Sequence, residues 1–145
     1  MTTTSTNKQL RELFTTVFLN NSWESTESVS GPGSDKNHPT ITDFRNTIMH
    51  VCSMIKDNRL TIVDLPCGDC NFIFDILSYI LHNHPSITNI EYYGCDIVEP
   101  LIDNLKSTIK PMDNVTINFI PFNIVETVIP VDVDIVLCKE LFIHL

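Results

Sequence analysis

Two carboxylates stand where short apolar runs stop. Asp64 closes Leu60-Thr61-Ile62-Val63, and Asp96 closes Ile90-Glu91-Tyr92-Tyr93-Gly94-Cys95. The first leads directly into Leu65-Pro66-Cys67-Gly68-Asp69-Cys70, a tight turn followed by an amphipathic stretch. Strand, turn and helix N-terminus in that order form the part of an α/β sheet that meets nucleotide-like ligands. An acidic residue ending the second strand suits a pair of ribose hydroxyls, which donate hydrogen bonds to its two oxygens. The chemistry these residues point to is the binding of a ribose-bearing ligand.

The elements that must position these groups follow from periodicity. Apolar residues at Leu10, Leu13, Phe14, Val17 and Phe18 predict a helix over 8–19, and Ile41, Phe44, Ile48, Val51, Cys52 and Ile55 a second over 40–55. His38-Pro39-Thr40 supplies its start, a capping residue with proline in the first turn. Between them, residues 20–39 hold Ser, Gly, Pro, Asn, Asp and one Trp, a loop longer than compact domains carry without a purpose. Strands are expected at 60–65, 90–95, 115–120 and 133–138, with helices at 71–81 and 98–109. Strands alternating with helices predict an α/β fold: a Rossmann-like parallel sheet of about four core strands behind a helical N-terminal segment. Residues 1–58 (N-terminal helices and Ser/Gly-rich loop) and 59–145 (cofactor-binding core) are expected to form a single domain.

Composition limits the partners. The chain has 145 residues, 9 basic against 18 acidic, and a formal charge of −9. That field repels phosphate backbones, and with no basic patch in the sequence nucleic acid is not favoured. No apolar run reaches the ~18–20 residues of a membrane span, and the first residues carry no basic-then-apolar signal, so a soluble, cytoplasmic protein without a membrane partner is expected. Five cysteines, Cys52, Cys67, Cys70, Cys95 and Cys138, read as reduced, packed thiols.

At these residues the chain resembles the class I S-adenosylmethionine-dependent methyltransferases. Ile62-Val63-Asp64-Leu65-Pro66-Cys67-Gly68 is similar to the first, glycine-rich motif of that superfamily, and Tyr93-Gly94-Cys95-Asp96-Ile97-Val98 to the second. The closer resemblance is to a methyltransferase-domain subgroup with an Asp-x-Pro-Cys-Gly-Asp loop. That subgroup also has a Trp-x4-Ser-x-Ser-Gly-x-Gly-Ser segment, here Trp23 and Ser28 to Ser34, and a third segment matched by Asp134 to Leu145. Pro66 replaces the superfamily's first glycine, Cys70 its third, and Asn123 the acidic residue that often faces the adenine amine.

The resemblance implies S-adenosylmethionine as cofactor, methyl transfer to an unknown small-molecule or protein acceptor, and cofactor contacts from Asp64, Pro66, Gly68, Asp96, Ile97 and Asn123. Asp64 would fix the turn or meet the cofactor's ammonium through water. Trp23, Ser30, Gly31 and Gly33 would serve as lid or acceptor contacts. Methyl transfer draws on positioning and desolvation, and a base is required only where the acceptor must lose a proton. Asp69, Glu140 and His144 are the candidates for that role, with Asp69 equally suited to capping the next helix.

Three other readings stay open at this point. A nicotinamide-dependent oxidoreductase shares the strand–turn–helix and distal acid but needs Gly-x-Gly-x-x-Gly, absent here. Cys67, Cys70, Cys95 and Cys138 would form a zinc or redox site if they converged at one sheet edge, although no metal ligands are assigned. The third is a catalytically inactive cofactor-binding or interaction protein of the same fold. Only seven residues follow Cys138, so the chain reads as truncated after its fourth strand, with an edge that a partner chain or second copy would cover.

Overall fold

The computed structural model describes residues 3–129 and 132–141, and side chains from residue 7 onward. Among the described residues the chain is an α/β fold with a four-stranded, all-parallel sheet and four α-helices. The helices are α1 (Thr3–Leu19), α2 (Pro39–Cys52), α3 (Ile73–Asn83) and α4 (Glu99–Thr108); the strands are β1 (Arg59–Asp64), β2 (Asn89–Asp96), β3 (Val115–Pro121) and β4 (Ile135–Leu137). A short 3-10 turn, Pro32–Ser34, interrupts the long loop between α1 and α2.

The strand order is β3-β2-β1-β4. From β1 the chain steps through β2 to β3 in one direction, then returns across β1 to place β4 on the other side. The point of reversal is therefore between β1 and β4, where ligands meet open parallel sheets. Because both right-handed crossovers run the same way, α3 and α4 share one sheet face.

Pleating divides the residues accordingly. Leu60, Ile62, Ile90 and Tyr92 enter the main core with Ile73, Ile76, Leu77 and Ile80 of α3 and Leu101, Ile102 and Leu105 of α4. The spacing of those α3 residues, i, i+3, i+4 and i+7, gives that helix one wholly apolar stripe. Ile41, Ile48 and Cys52 of α2 join the same core. Val63, Leu65, Cys95 and Phe122 point the other way into a smaller cluster, packed by Tyr93, Ile120, Ile129 and Val133. That face is covered by the β3–β4 connection, and no helix residue joins the cluster among the described residues.

Side chains at the ends fix the register. His38 caps α2 by accepting the Thr40 N–H, with Pro39 in the first turn as expected. Asp134 accepts the Thr61 N–H at 2.7 Å, and its own N–H donates to the Thr61 carbonyl at 3.0 Å, seating β4 beside β1. β4 is shorter than the expected 133–138: Asp134 meets β1 through one backbone bond and its side chain, and regular pairing starts only at Ile135.

Leu77 is completely buried between α3 and the sheet, whereas Leu13 on α1 is 58% exposed. Leu77→Ala should lower the unfolding free energy by about 2–5 kcal/mol and Leu13→Ala by less than about 0.5 kcal/mol, as read from urea denaturation midpoints.

Candidate functional site

The carboxyl ends of the four strands open into one cavity of about 410 Å³, within the ~300–1,000 Å³ range of small-molecule sites. Asp64, Pro66, Gly68 and Asp69 line it after β1, Asp96 and Ile97 after β2, Asn123 after β3, and Lys139 and Glu140 after β4. Leu10, Phe14 and Phe18 of α1 line it too, with Trp23, Ser30, Gly31 and Gly33 from the long loop. Every site residue expected from the sequence within the described region therefore faces one space. His144 lies outside the described residues.

The turn after β1 is held by Asp96. Cys67 N–H donates to the Cys95 carbonyl at 2.8 Å, extending the β1–β2 ladder past Asp64. Gly68 then turns with φ +54°, a left-handed conformation that glycine adopts at little cost, and its N–H donates to Asp96 Oδ2 at 3.1 Å. The other oxygen, Oδ1, accepts the Val98 N–H at 3.0 Å. Asp96 is thus also the turn-forming acid that a carboxylate after a strand commonly is. With the Ile97 N–H also donating, the carboxylate keeps acceptor capacity for at least one further donor.

Asp64 does not fix this turn. Its Oδ2 accepts the Tyr92 hydroxyl at 2.8 Å, and the same hydroxyl lies 3.6 Å from Cys70 Sγ. Burial pushes the Asp64 carboxyl up to about 7, against the Tyr92 hydrogen bond; the nearby Asp96 charge adds to the rise and Lys139 opposes it. Asp96 is also raised, first by burial, with the N–H groups of Val98, Gly68 and Ile97 pulling it back.

Asp69 is placed differently from both expectations. α3 begins at Ile73 with Phe72 at its N-cap and no side-chain cap, so Asp69 does not cap that helix. Its carboxylate accepts the Ser28 hydroxyl and the Val29 N–H, each at 2.9 Å, and the Asn71 N–H at 3.3 Å. Its own N–H donates to Ser30 Oγ at 2.9 Å. These bonds clip the Ser/Gly loop onto the turn. The sequence carried no signal for this pairing, because the partners lie about forty positions apart and short-range patterns do not reach across that separation.

Asn123 lines the cavity as expected in position and has a further, structural role. Its Oδ1 accepts the Val125 N–H at 3.0 Å and its Nδ2 donates to Glu126 at 3.1 Å, so the amide folds the chain after β3 while lining the cavity. Glu140 stands at the end of β4 with φ +59°, paired to Lys139 Nζ at 2.9 Å. Its carboxylate passes so close to Gly33 that a Cβ there would sit 2.6 Å from Oε1. Gly31 lies beside Trp23 more loosely: a Cβ there would sit 3.4 Å from Trp23 Cβ, an ordinary contact. α1 is tied across the opening by Asn7 to Glu126 at 2.7 Å and by the Arg11–Glu99 ion pair.

The cysteines do not converge. Cys67 and Cys70 belong to the helix-side core, while Cys95 lies in the cluster on the opposite face. Among the described residues no three His, Cys, Asp or Glu side chains are grouped to hold a metal. The Cys67 thiol is pushed well up by its hydrogen bond with the Cys70 thiol and by burial, and Cys95 is raised to about 12 by burial. Thiols held in the neutral form are poor nucleophiles and poor ligands.

Comparison with known protein families, curated proteins and solved structures finds nothing that matches this chain. No helix among the described residues is long and apolar enough to cross a membrane. What the site defines is its class: an α/β parallel sheet with a cavity at its topological switch point.

With a native pKa of about 7 against ~3.9 unfolded, Asp64 keeps a proton in the native state that the unfolded chain gives up. Its contribution to stability therefore falls as pH rises from about 4 to 7, by at most about 1.4 kcal/mol per pH unit. Asp64→Asn should flatten that part of the curve, so the variant gains on the wild type between pH 5 and 7.5 in urea midpoints.

Proposed function

We propose that this chain binds S-adenosylmethionine and transfers its methyl group to a small acceptor with an apolar body. The observation that carries the reading is the Asp96–Gly68 pair, a strand-end carboxylate anchored to the glycine turn after β1 within a cavity of suitable size. Asp96, with acceptor capacity beyond its backbone donors, receives the ribose hydroxyls. Ile97, Val98 and Leu101 supply an apolar wall for the adenine ring.

Charge separates this ligand from a dinucleotide. Among the described residues the cavity wall holds four acidic side chains, Asp64, Asp69, Asp96 and Glu140, against the ammonium of Lys139. A pyrophosphate beside the turn would face Asp69 at the place where nucleotide sites present only N–H groups. A sulfonium nucleoside with an ammonium brings the opposite sign. When bound, it supplies a methyl group already activated for in-line displacement. The chain's part is to hold it, exclude water and present an acceptor, which enters past Leu10, Phe14 and Phe18 of α1.

Calorimetric titration with S-adenosylmethionine should give saturable binding, weakened at least tenfold in Asp96→Ala. A cation near Asp64 favours its ionised form, so affinity should rise from pH 6 to 8 in the wild type and less so in Asp64→Asn. Among the charged and titratable groups facing Asp64, Asp96 opposes that ionisation, Lys139 assists it and the Tyr92 hydroxyl remains protonated. Absence of binding, or equal affinity in wild type and Asp96→Ala, would remove the basis of this reading.

A further inference from the structure

The segment Ser25–Ser34 has few apolar anchors of its own, and its position against the cavity depends on polar contacts to the turn after β1. Ser28 is completely buried, and its hydroxyl donates to both oxygens of Asp69 at 2.9 Å while accepting the Ser30 N–H at 3.2 Å. The Val29 N–H adds a bond to Asp69 Oδ2 at 2.9 Å, and the Asp69 N–H returns one to Ser30 Oγ at 2.9 Å. Ser30 Oγ occupies the space a side chain at position 68 would need, since a Cβ on Gly68 would lie 2.2 Å from it. One carboxylate and one hydroxyl thus tie the centre of the segment to the same turn that Asp96 holds from the other side, while the Asn71 amide holds its flanks through Glu27 at 2.7 Å and the Ser34 carbonyl at 3.0 Å. Trp23, beside Gly31, and Glu140, seated over Gly33, complete the wall that the segment carries.

We propose that Asp69 is a positioning residue: with Ser28 and Ser30 it fixes the Trp23–Gly31–Gly33 wall at a set distance from Gly68, and ligand affinity depends on that fixed distance. Asp69 does so without touching the ligand, because its oxygens are engaged by the segment and by the Asn71 N–H. An amide at this position cannot satisfy all its partners, since its NH₂ would face either the Val29 N–H or the Asn71 N–H. The affinity part of the proposal rests on the function proposed above; the fixing of the wall does not.

Trp23 is the chain's one tryptophan, so its emission reports the wall directly. In Asp69→Asn without ligand, that emission should shift to longer wavelength, and the dissociation constant for S-adenosylmethionine should rise about tenfold or more. Ile80→Val, a conservative change at a fully buried site in α3, controls for lost stability: it should lower the melting midpoint and leave both emission and affinity at wild-type values. If Asp69→Asn does not fold, Ser30→Ala, which removes only the oxygen receiving the Asp69 N–H, should give the same two changes in smaller measure. Unshifted emission with wild-type affinity in the folded variant overturns the proposal. If the wild type itself shows no binding, the function proposed above fails, and the emission of the unliganded variants still decides whether Asp69 fixes the wall.

Discussion

The hydrogen bond from the Gly68 N–H to Asp96 is the contact on which the rest of the site depends. It joins the turn leaving β1 to the end of the neighbouring strand, two segments that parallel pairing alone would bring only as far as Cys67. With Gly68 held there, Asp69 points away from the sheet toward Ser28 and Val29, and the long loop acquires a docking place. Glycine is required twice over. Its left-handed φ forms the turn, and its missing Cβ admits Ser30. A side chain at 68 would disturb the turn and the segment together.

Electrostatics gives this arrangement its direction. Asp64 and Asp96 are both buried, and burial raises both, which means that ionising either carboxyl carries a desolvation cost. Tyr92, Gly68 and Val98 offset part of that cost through hydrogen bonds. Lys139, with its side chain only 12% exposed and its Nζ 5.9 Å from the Phe72 ring centroid, supplies a positive charge nearby. A cation entering the cavity relieves the same imbalance, whereas an anion adds to it. The acidity of the whole chain, −9 in formal charge, acts in the same sense at longer range.

The β–α alternation was legible because each strand is a short apolar run bounded by turn residues, and each sheet helix has a 3.6-residue stripe. Element ends moved by one to three residues, as at β4, where the Asp134 side chain takes a backbone's place. At α1 the shift is larger: the helix begins five residues before the expected start at 8, since Thr and Ser extend a helix without marking it. Asp64, Gly68 and Asp96 were legible as one site because strand ends in a parallel sheet share an edge. Asp69 and Asn123 were legible as members of the site but their partners were not, for a common reason: each spends its hydrogen-bonding groups on backbone N–H groups or on partners that only the folded chain brings near. The cysteine cluster failed on parity. Cys95 follows Gly94 by one position, and one position in a strand is a change of face.

Gly94 shows how the floor of the cavity is made. It pairs in register with Asp64 and points to the helix side, where a Cβ would lie 2.8 Å from the Phe119 ring and 3.1 Å from the Tyr92 ring. The space left by that absent side chain is filled by the two aromatic rings, which meet edge to face with centroids 6.4 Å apart. Only with its ring there does the Tyr92 hydroxyl come within 2.8 Å of Asp64, two positions further along the neighbouring strand's register. A larger residue at 94 would displace the ring, take the donor from Asp64 and leave a buried carboxylate with one fewer partner. Gly94 has no positive φ to account for it. Its role is steric: it gives Tyr92 room to reach the carboxylate on which the cavity's charge depends.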